Sequence, residues 1–129
     1  SQKMDPRVVH GTIVLTSFLP MFIASGFGFE MPVVGLPQFD TTYESTSFVK
    51  FLMLFIAAMM ISAALTEVRG EMSMKTFAEY HWFLSAMILK WQLGETATLV
   101  GKAMTIMPHI FTIWGTSAYL SGSTKSNTD

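Results

Sequence analysis

The sequence predicts an all-α integral membrane protein: one membrane domain over residues 1–129, built as a bundle of four transmembrane helices. Half of the 129 residues are apolar. Only 13% are Asp, Glu, Lys or Arg, which is about half of the charged share of an ordinary soluble domain. These few charges are also grouped, so that long stretches contain none of them. A helix of about 20 such residues is long enough to cross the hydrocarbon core of a bilayer.

The charge-free stretches set the positions of the helices. Residues 8–29 and 103–124 carry no Asp, Glu, Lys or Arg and are each long enough for a span. Residues 51–66 reach that length when their apolar neighbours are included, because Lys50 can extend its ammonium group to the membrane surface. The predicted segments are spans at about 8–29, 48–68, 76–93 and 96–120, a polar loop at 30–47 and a flexible tail at 121–129.

The third span differs from the others, because Glu79, His81 and Lys90 lie inside it. Glu79 and Lys90 are about three helical turns apart and share one face. An amphipathic helix lying on the membrane surface would explain them and would leave a bundle of three. We favour a span whose polar face is buried against protein, because bulky apolar residues cover most of the circumference of 76–93.

The orientation of the chain follows from its basic residues. With four spans, the two termini and the loop at 67–75 share one side of the membrane, and the loop at 30–47 lies on the other. All of the basic residues outside the spans belong to the first side, which predicts that both termini face the stroma, matrix or cytosol. They are Lys3, Arg7, Arg69, Lys75 and Lys125.

Composition also excludes several classes of function. A net charge of −1 argues against binding to nucleic acid, which needs a basic surface. The absence of cysteine excludes disulfides, cysteine-ligated metal sites and cysteine nucleophiles. No phosphate-binding loop, dinucleotide fingerprint, zinc-protease motif or nucleophile elbow is present. We therefore expect a protein that is not an enzyme.

A line of polar residues runs along the last span. Its members recur every three or four residues and so lie along one stripe of the helix. A lysine in the middle of a span costs about 2.5–3.5 kcal/mol, so the stripe is expected to face protein, a cofactor or water rather than lipid. This polar seam consists of Thr98, Lys102, Thr105, His109, Thr112 and Thr116.

Three interpretations of the seam stay open. It can be packing against neighbouring helices, with His109 and Lys102 as hydrogen-bonding residues. His109 can instead be the axial ligand to the metal of a tetrapyrrole, chlorophyll or haem. It can also form a proton or quinone site together with Lys102. His81 and His10 are weaker candidates for binding a cofactor, and Glu67 is expected in a solvated charged loop beside Arg69.

These observations favour a small accessory subunit of a large bioenergetic membrane complex, with other membrane subunits, lipids and pigments as its partners. A photosystem in the thylakoid membrane is favoured over a respiratory complex in the mitochondrial inner membrane, because uncharged helices rich in Phe and Trp suit contact with pigments. The alternatives are a small channel or transporter with the polar seam as its path, and a membrane enzyme or haem-bearing electron carrier.

Overall fold

The computed structural model describes residues 4–28, 47–94 and 99–122, and these residues form four helices and no strand. Helix α1 has three consecutive segments: Pro6–Ile13, Val14–Phe18 and Leu19–Gly26. The other helices are α2 (Ser47–Val68), α3 (Met74–Gly94) and α4 (Leu99–Ser121). For these described residues, the prediction of an all-α fold is confirmed.

Helix α1 begins at a capped end that is tied to the loop between α2 and α3. The carboxylate of Asp5 accepts a hydrogen bond of 2.9 Å from the backbone amide of Arg7, and Pro6 occupies the first turn, where its missing amide hydrogen is not needed. The guanidinium of Arg7 is buried, pairs with Asp5 and donates a hydrogen bond of 2.6 Å to the carbonyl oxygen of Met72. This basic residue is therefore part of the interior.

The middle of α1 contains a wide π-helical turn, from Val14 to Phe18. The amide of Leu19 donates to the carbonyl oxygen of Val14, five residues earlier. Pro20 follows immediately and has no amide hydrogen for the carbonyl group one turn before it, so the regular hydrogen-bond ladder cannot continue there. A local widening of this kind is a usual response to an interrupted ladder and is frequent at functional sites.

A tight loop joins α2 to α3. Gly70 has a φ of +69°, a left-handed conformation that favours glycine, and its amide donates to the carbonyl oxygen of Glu67 at 3.1 Å. The hydroxyl of Ser73 then caps α3 by accepting a hydrogen bond of 3.0 Å from the amide of Thr76. The loop therefore brings the last turn of α2 close to the first turns of α3.

The helices pack as two antiparallel pairs that meet at one end of the bundle. Gly11 of α1 lies against the last turns of α2, and Gly26 lies against Leu54, nearer the start of α2. On the other pair, Phe77 at the start of α3 packs on Gly115 near the end of α4. The start of α1, the end of α2, the start of α3 and the end of α4 therefore share one end, and the candidate site lies there.

The outside of the bundle is apolar. Two segments, Pro6–Ala24 and Lys50–Val68, are long and apolar enough to cross a membrane. Whether α3 and α4 also cross it stays a prediction. On α3, Ala86 and Lys90 are exposed, so any protein that buries the polar face of this helix must come from outside the described part of the chain. Large apolar residues exposed on all four helices include Val8, Ile23, Phe51, Phe55, Met59, Phe83, Met87, Ile106, Ile110 and Ile113.

We predict that Gly11→Ala destabilises the bundle. An added Cβ would lie 2.8 Å from the carbonyl oxygen of Ala64, and backbone cannot move aside as a side chain can. Overpacking of this kind costs about 1–3 kcal/mol, which we expect as a loss in the free energy of unfolding in mixed detergent micelles. Ala58→Leu, which enlarges an exposed residue of α2, is the control and should change stability by less than about 0.5 kcal/mol. Equal stability of the Gly11 variant and the native chain would contradict the close helix contact.

Candidate functional site

The centre of the candidate site is a hydrogen-bonded pair between His10 of α1 and Glu67 of α2. The Nδ1 atom of His10 lies 2.5 Å from Oε2 of Glu67. Glu67 is only 1% exposed, although it stands one helical turn from the exposed Arg69–Glu71 ion pair. The expectation that Glu67 belongs to a solvated charged loop is wrong. Its side chain points back from the end of α2 into the bundle.

Glycine at position 11 is what lets this pair form. A Cβ at Gly11 would lie 3.1 Å from the Cβ of Glu67, so the two helices are at their closest beside the pair. The imidazole donates this hydrogen bond from Nδ1, because a carboxylate oxygen can only accept. This hydrogen bond offsets part of the penalty of moving the carboxylate of Glu67 out of water.

His81 of α3 is the second histidine of the site, and it is buried. It is 0% exposed, and its Nδ1 atom lies 2.8 Å from the carbonyl oxygen of Phe77. Since a carbonyl can only accept, Nδ1 carries the hydrogen, and Nε2 of the neutral ring is an acceptor. The ring of His10 stands edge-on to His81, with centroids 4.5 Å apart, and Phe77, Tyr80 and Phe111 complete the aromatic surroundings.

Two acceptors in this cluster lack a hydrogen-bond donor among the described residues. They are Oε1 of Glu67 and Nε2 of His81, both fully buried. Buried polar atoms are nearly always paired, because an unpaired one costs about 1–3 kcal/mol. An unpaired acceptor beside a cavity therefore indicates a site for a molecule that can donate a hydrogen bond.

Such a cavity lies next to the pair, with a volume of about 240 Å³ and a lining contributed by all four helices. His10, Glu67 and Tyr80 line it together with residues that are otherwise apolar. The apolar residues that define its length are Val14, Phe18 and Phe22 on α1, Ile56 and Met60 on α2, and Leu84 and Ile88 on α3.

The wide turn in α1 shapes this cavity. His10, Val14, Phe18 and Phe22 all line it at a spacing of four residues. In a regular α-helix of 3.6 residues per turn, four residues rotate about 40° beyond one full turn. A row of residues at this spacing therefore moves gradually away from one face of the helix. The π-helical turn between Val14 and Phe18 reduces this drift, so that one side of α1 follows the cavity along its length.

The described part of the polar seam packs against α3. Thr112 donates to the carbonyl oxygens of Pro108 (2.8 Å) and His81 (3.0 Å), and its hydroxyl meets that of Ser85 at 2.5 Å. The indole of Trp82 donates to the hydroxyl of Thr116 at 2.7 Å. These two threonines therefore make hydrogen bonds to the neighbouring helix α3. Thr98 lies outside the described residues, as do the side chains of Lys102 and Thr105.

The three histidines are separated into two groups. His10 and His81 are brought into ring contact, whereas His109 is half-buried on α4 and does not line the cavity. Within residues 4–28, 47–94 and 99–122, no group of three His, Asp or Glu residues is arranged to hold a metal ion. His81 is enclosed by rings, and a four-ring macrocycle is too large for the cavity. Coordination of chlorophyll or haem by His109 stays a prediction.

Sequence reasoning missed the two cavity residues Glu67 and Tyr80. One signal was available for Glu67. It ends the apolar stretch of α2, and His10 begins that of α1, so antiparallel packing of the two spans places both residues at one end of the bundle. No comparable signal indicated Tyr80, which resembles an interfacial aromatic residue.

Comparison with known proteins adds no assignment: no protein-family model, no curated protein and no solved structure matches the chain. The site must therefore be interpreted from its own geometry.

We predict that His10 and Glu67 are coupled in stability. His10→Leu leaves a buried carboxyl group without its partner and should cost about 2–4 kcal/mol in the free energy of unfolding. Replacing both residues in His10→Leu/Glu67→Met removes the unpaired group together with the pair, and this double variant should be more stable than the single one. A double-mutant cycle in mixed micelles measures the coupling, and additive losses would contradict the pair.

We also predict that Thr112→Val weakens the contact between α3 and α4. Valine has nearly the same shape, but it can neither donate to the carbonyl of His81 nor bond to Ser85, so a loss of about 1–2 kcal/mol is expected. Thr12→Val is the matched control, because the hydroxyl of Thr12 bonds only its own helix on an exposed face. Unfolding of both variants in micelles gives the comparison. Losses of the same size would show that Thr112 has no special role.

Proposed function

We propose that the chain is a small, non-catalytic membrane subunit of a larger bioenergetic complex, with a photosystem as the favoured setting. The apolar outer surface of the bundle carries this proposal. Phe51, Phe55 and Met59 on α2 and Ile110 and Ile113 on α4 are all exposed. Exposed apolar area of this extent is unusual for a monomer in water and suits lipid or protein neighbours.

The distribution of charge along α3 supports a fourth span. Lys75 and Glu79 lie in its first two turns, 3.9 Å apart, and Lys90 lies in its last turns. The residues between Glu79 and Lys90 carry no charge. Long charged side chains near the two ends of a helix, such as Lys75 and Lys90, can extend toward opposite membrane surfaces. A surface helix would instead carry a continuous polar face along its length.

The internal contacts favour a subunit over a channel. Thr112 and Thr116, which would line a polar path through α4, make hydrogen bonds to α3. The cavity, where all four helices meet, is lined mainly by apolar side chains. A water-filled path needs a continuous polar lining, and neither feature supplies one. A subunit of a respiratory complex stays an alternative, because only the expected contact with pigments favours a photosystem over a respiratory complex.

Topology provides one test, and the absence of native cysteine makes it direct. Single substitutions Glu71→Cys, Glu44→Cys and Ser126→Cys are labelled with a membrane-impermeant maleimide in sealed vesicles. With four spans, positions 71 and 126 share one side, and position 44 lies on the other. If α3 lay on the membrane surface, positions 71 and 126 would be on opposite sides. That result would contradict the four-span bundle.

Isolation from its native membrane tests the complex itself. In a mild detergent we expect the chain to migrate with partner subunits, far above its own mass of 14.4 kDa. An absorption spectrum of the same fraction separates a pigment-containing complex from a respiratory one. In the photosystem setting, His109→Ala should lower the pigment content of the complex, while Thr12→Val, on an exposed face of α1, is the comparison variant and should not. Migration as a free monomer would contradict the proposal.

A further inference from the structure

The cavity beside His10 and Glu67 has the form of a ligand site. Its volume of about 240 Å³ exceeds the roughly 150 Å³ of an engineered apolar cavity that binds one benzene ring. It therefore has room for one substituted six-membered ring and the first part of a chain. Its walls are apolar along α1, α2 and α3, whereas Glu67 and His10 mark one end.

The hydrogen-bonding capacity of that end is specific. Oε2 of Glu67 is already occupied by His10, while Oε1 is buried and has no donor among the residues that the structure describes. A carboxylate oxygen can only accept. The missing partner is therefore a donor, such as a hydroxyl group, and a ligand with carbonyl or ether oxygens alone would leave Oε1 unpaired.

The exposure of two lining residues, one on α2 and one on α3, points to an opening of the cavity between these helices. Ile56 and Tyr80 both line it, and they are 39% and 43% exposed. A molecule dissolved in the membrane could enter through this opening and leave its tail between the two helices.

We propose that this cavity binds a lipid-soluble hydroquinone: one aromatic ring that carries hydroxyl donors and an apolar tail. A ring hydroxyl donates to Oε1 of Glu67, and the tail lies along Phe18, Phe22 and Ile56. The proposal requires a membrane as the source of the ligand but does not depend on which complex the chain belongs to. Binding of purified chain in lipid nanodiscs therefore tests it separately from assembly.

The same features distinguish the hydroquinone from other membrane molecules. A fatty acid would bring its carboxylate against Glu67, and two like charges at one buried point repel each other. A sterol has a hydroxyl donor but a rigid four-ring body that exceeds a cavity of one ring. Water could donate to Oε1 of Glu67, but it would make no favourable contacts with the apolar lining of the cavity.

The experiment compares two redox forms of one ligand. Full-length chain in nanodiscs is titrated calorimetrically with 2-decylhydroquinone under anaerobic conditions and with 2-decyl-1,4-benzoquinone, and empty nanodiscs are subtracted from both. A hydrogen bond to a charged acceptor favours the donor form, so the hydroquinone should bind about tenfold or more tightly than the quinone. Cholesterol and decanoic acid are the further arms and should bind more weakly than the hydroquinone.

The substitution Glu67→Gln tests directly whether Oε1 accepts a hydrogen bond from the ligand. If the amide oxygen keeps the bond to His10, the amide nitrogen takes the place of Oε1 and turns an acceptor into a donor. The preference should then reverse, with the quinone bound more tightly than the hydroquinone. Glu71→Gln makes the same chemical change in an exposed residue and should leave both affinities unchanged.

Ala63→Phe tests the cavity without altering the acceptor. Ala63 lines the cavity and is half-buried, so a phenyl ring there fills the space and should weaken both ligands at least tenfold. This variant keeps the test decisive even if Glu67→Gln fails to fold. Equal affinities for the two redox forms, tighter binding of cholesterol or decanoic acid, or unaltered binding by Ala63→Phe would each overturn the proposal.

Discussion

The close approach of α1 and α2 at Gly11 is the contact on which the rest of the interior depends. Because position 11 has no Cβ, the backbone of α1 can pass directly over Ala64 and Val68. At that separation His10 reaches Glu67. Small residues at helix interfaces permit this kind of approach in membranes, where helix association has no hydrophobic driving force of its own. The buried polar cluster therefore results from backbone packing.

An apolar interior holds these polar groups because each is offset by a local partner. Arg7 is paired with Asp5 and bonded to a loop carbonyl, His10 with Glu67, and His81 with the carbonyl of its own helix. Two acceptors, Oε1 of Glu67 and Nε2 of His81, are not offset within the described residues, and Glu67 lines the cavity to which all four helices contribute. The π-helical turn before Pro20 has a related cause. Proline supplies no amide hydrogen, so the regular hydrogen bonds of the helix are interrupted there and the turn widens.

The sequence was sufficient for the all-α class and for the approximate positions of the helices, because few charges interrupt the apolar stretches. It was insufficient for the site. Hydropathy does not tell which helices are neighbours, so Glu67 looked like a loop residue beside Arg69 and Glu71. The spacing of Thr112 and Thr116 indicated a buried stripe, but only the packing of α4 on α3 shows which neighbour covers it. Four spans, partners and pigments stay predictions.

A molecule in the cavity would also change how the bundle is held together. The contacts of the described residues lie mainly within the pairs α1–α2 and α3–α4, with a smaller contact between α1 and α4, whereas α2 and α3 scarcely touch. Residues of both helices, Ile56 on α2 and Tyr80 on α3, line the cavity. A bound ring and tail would contact both helices at once. Since a ligand that binds only the folded state stabilises it by RT ln(1 + [L]/Kd), occupancy and the cohesion of the two helix pairs must rise together.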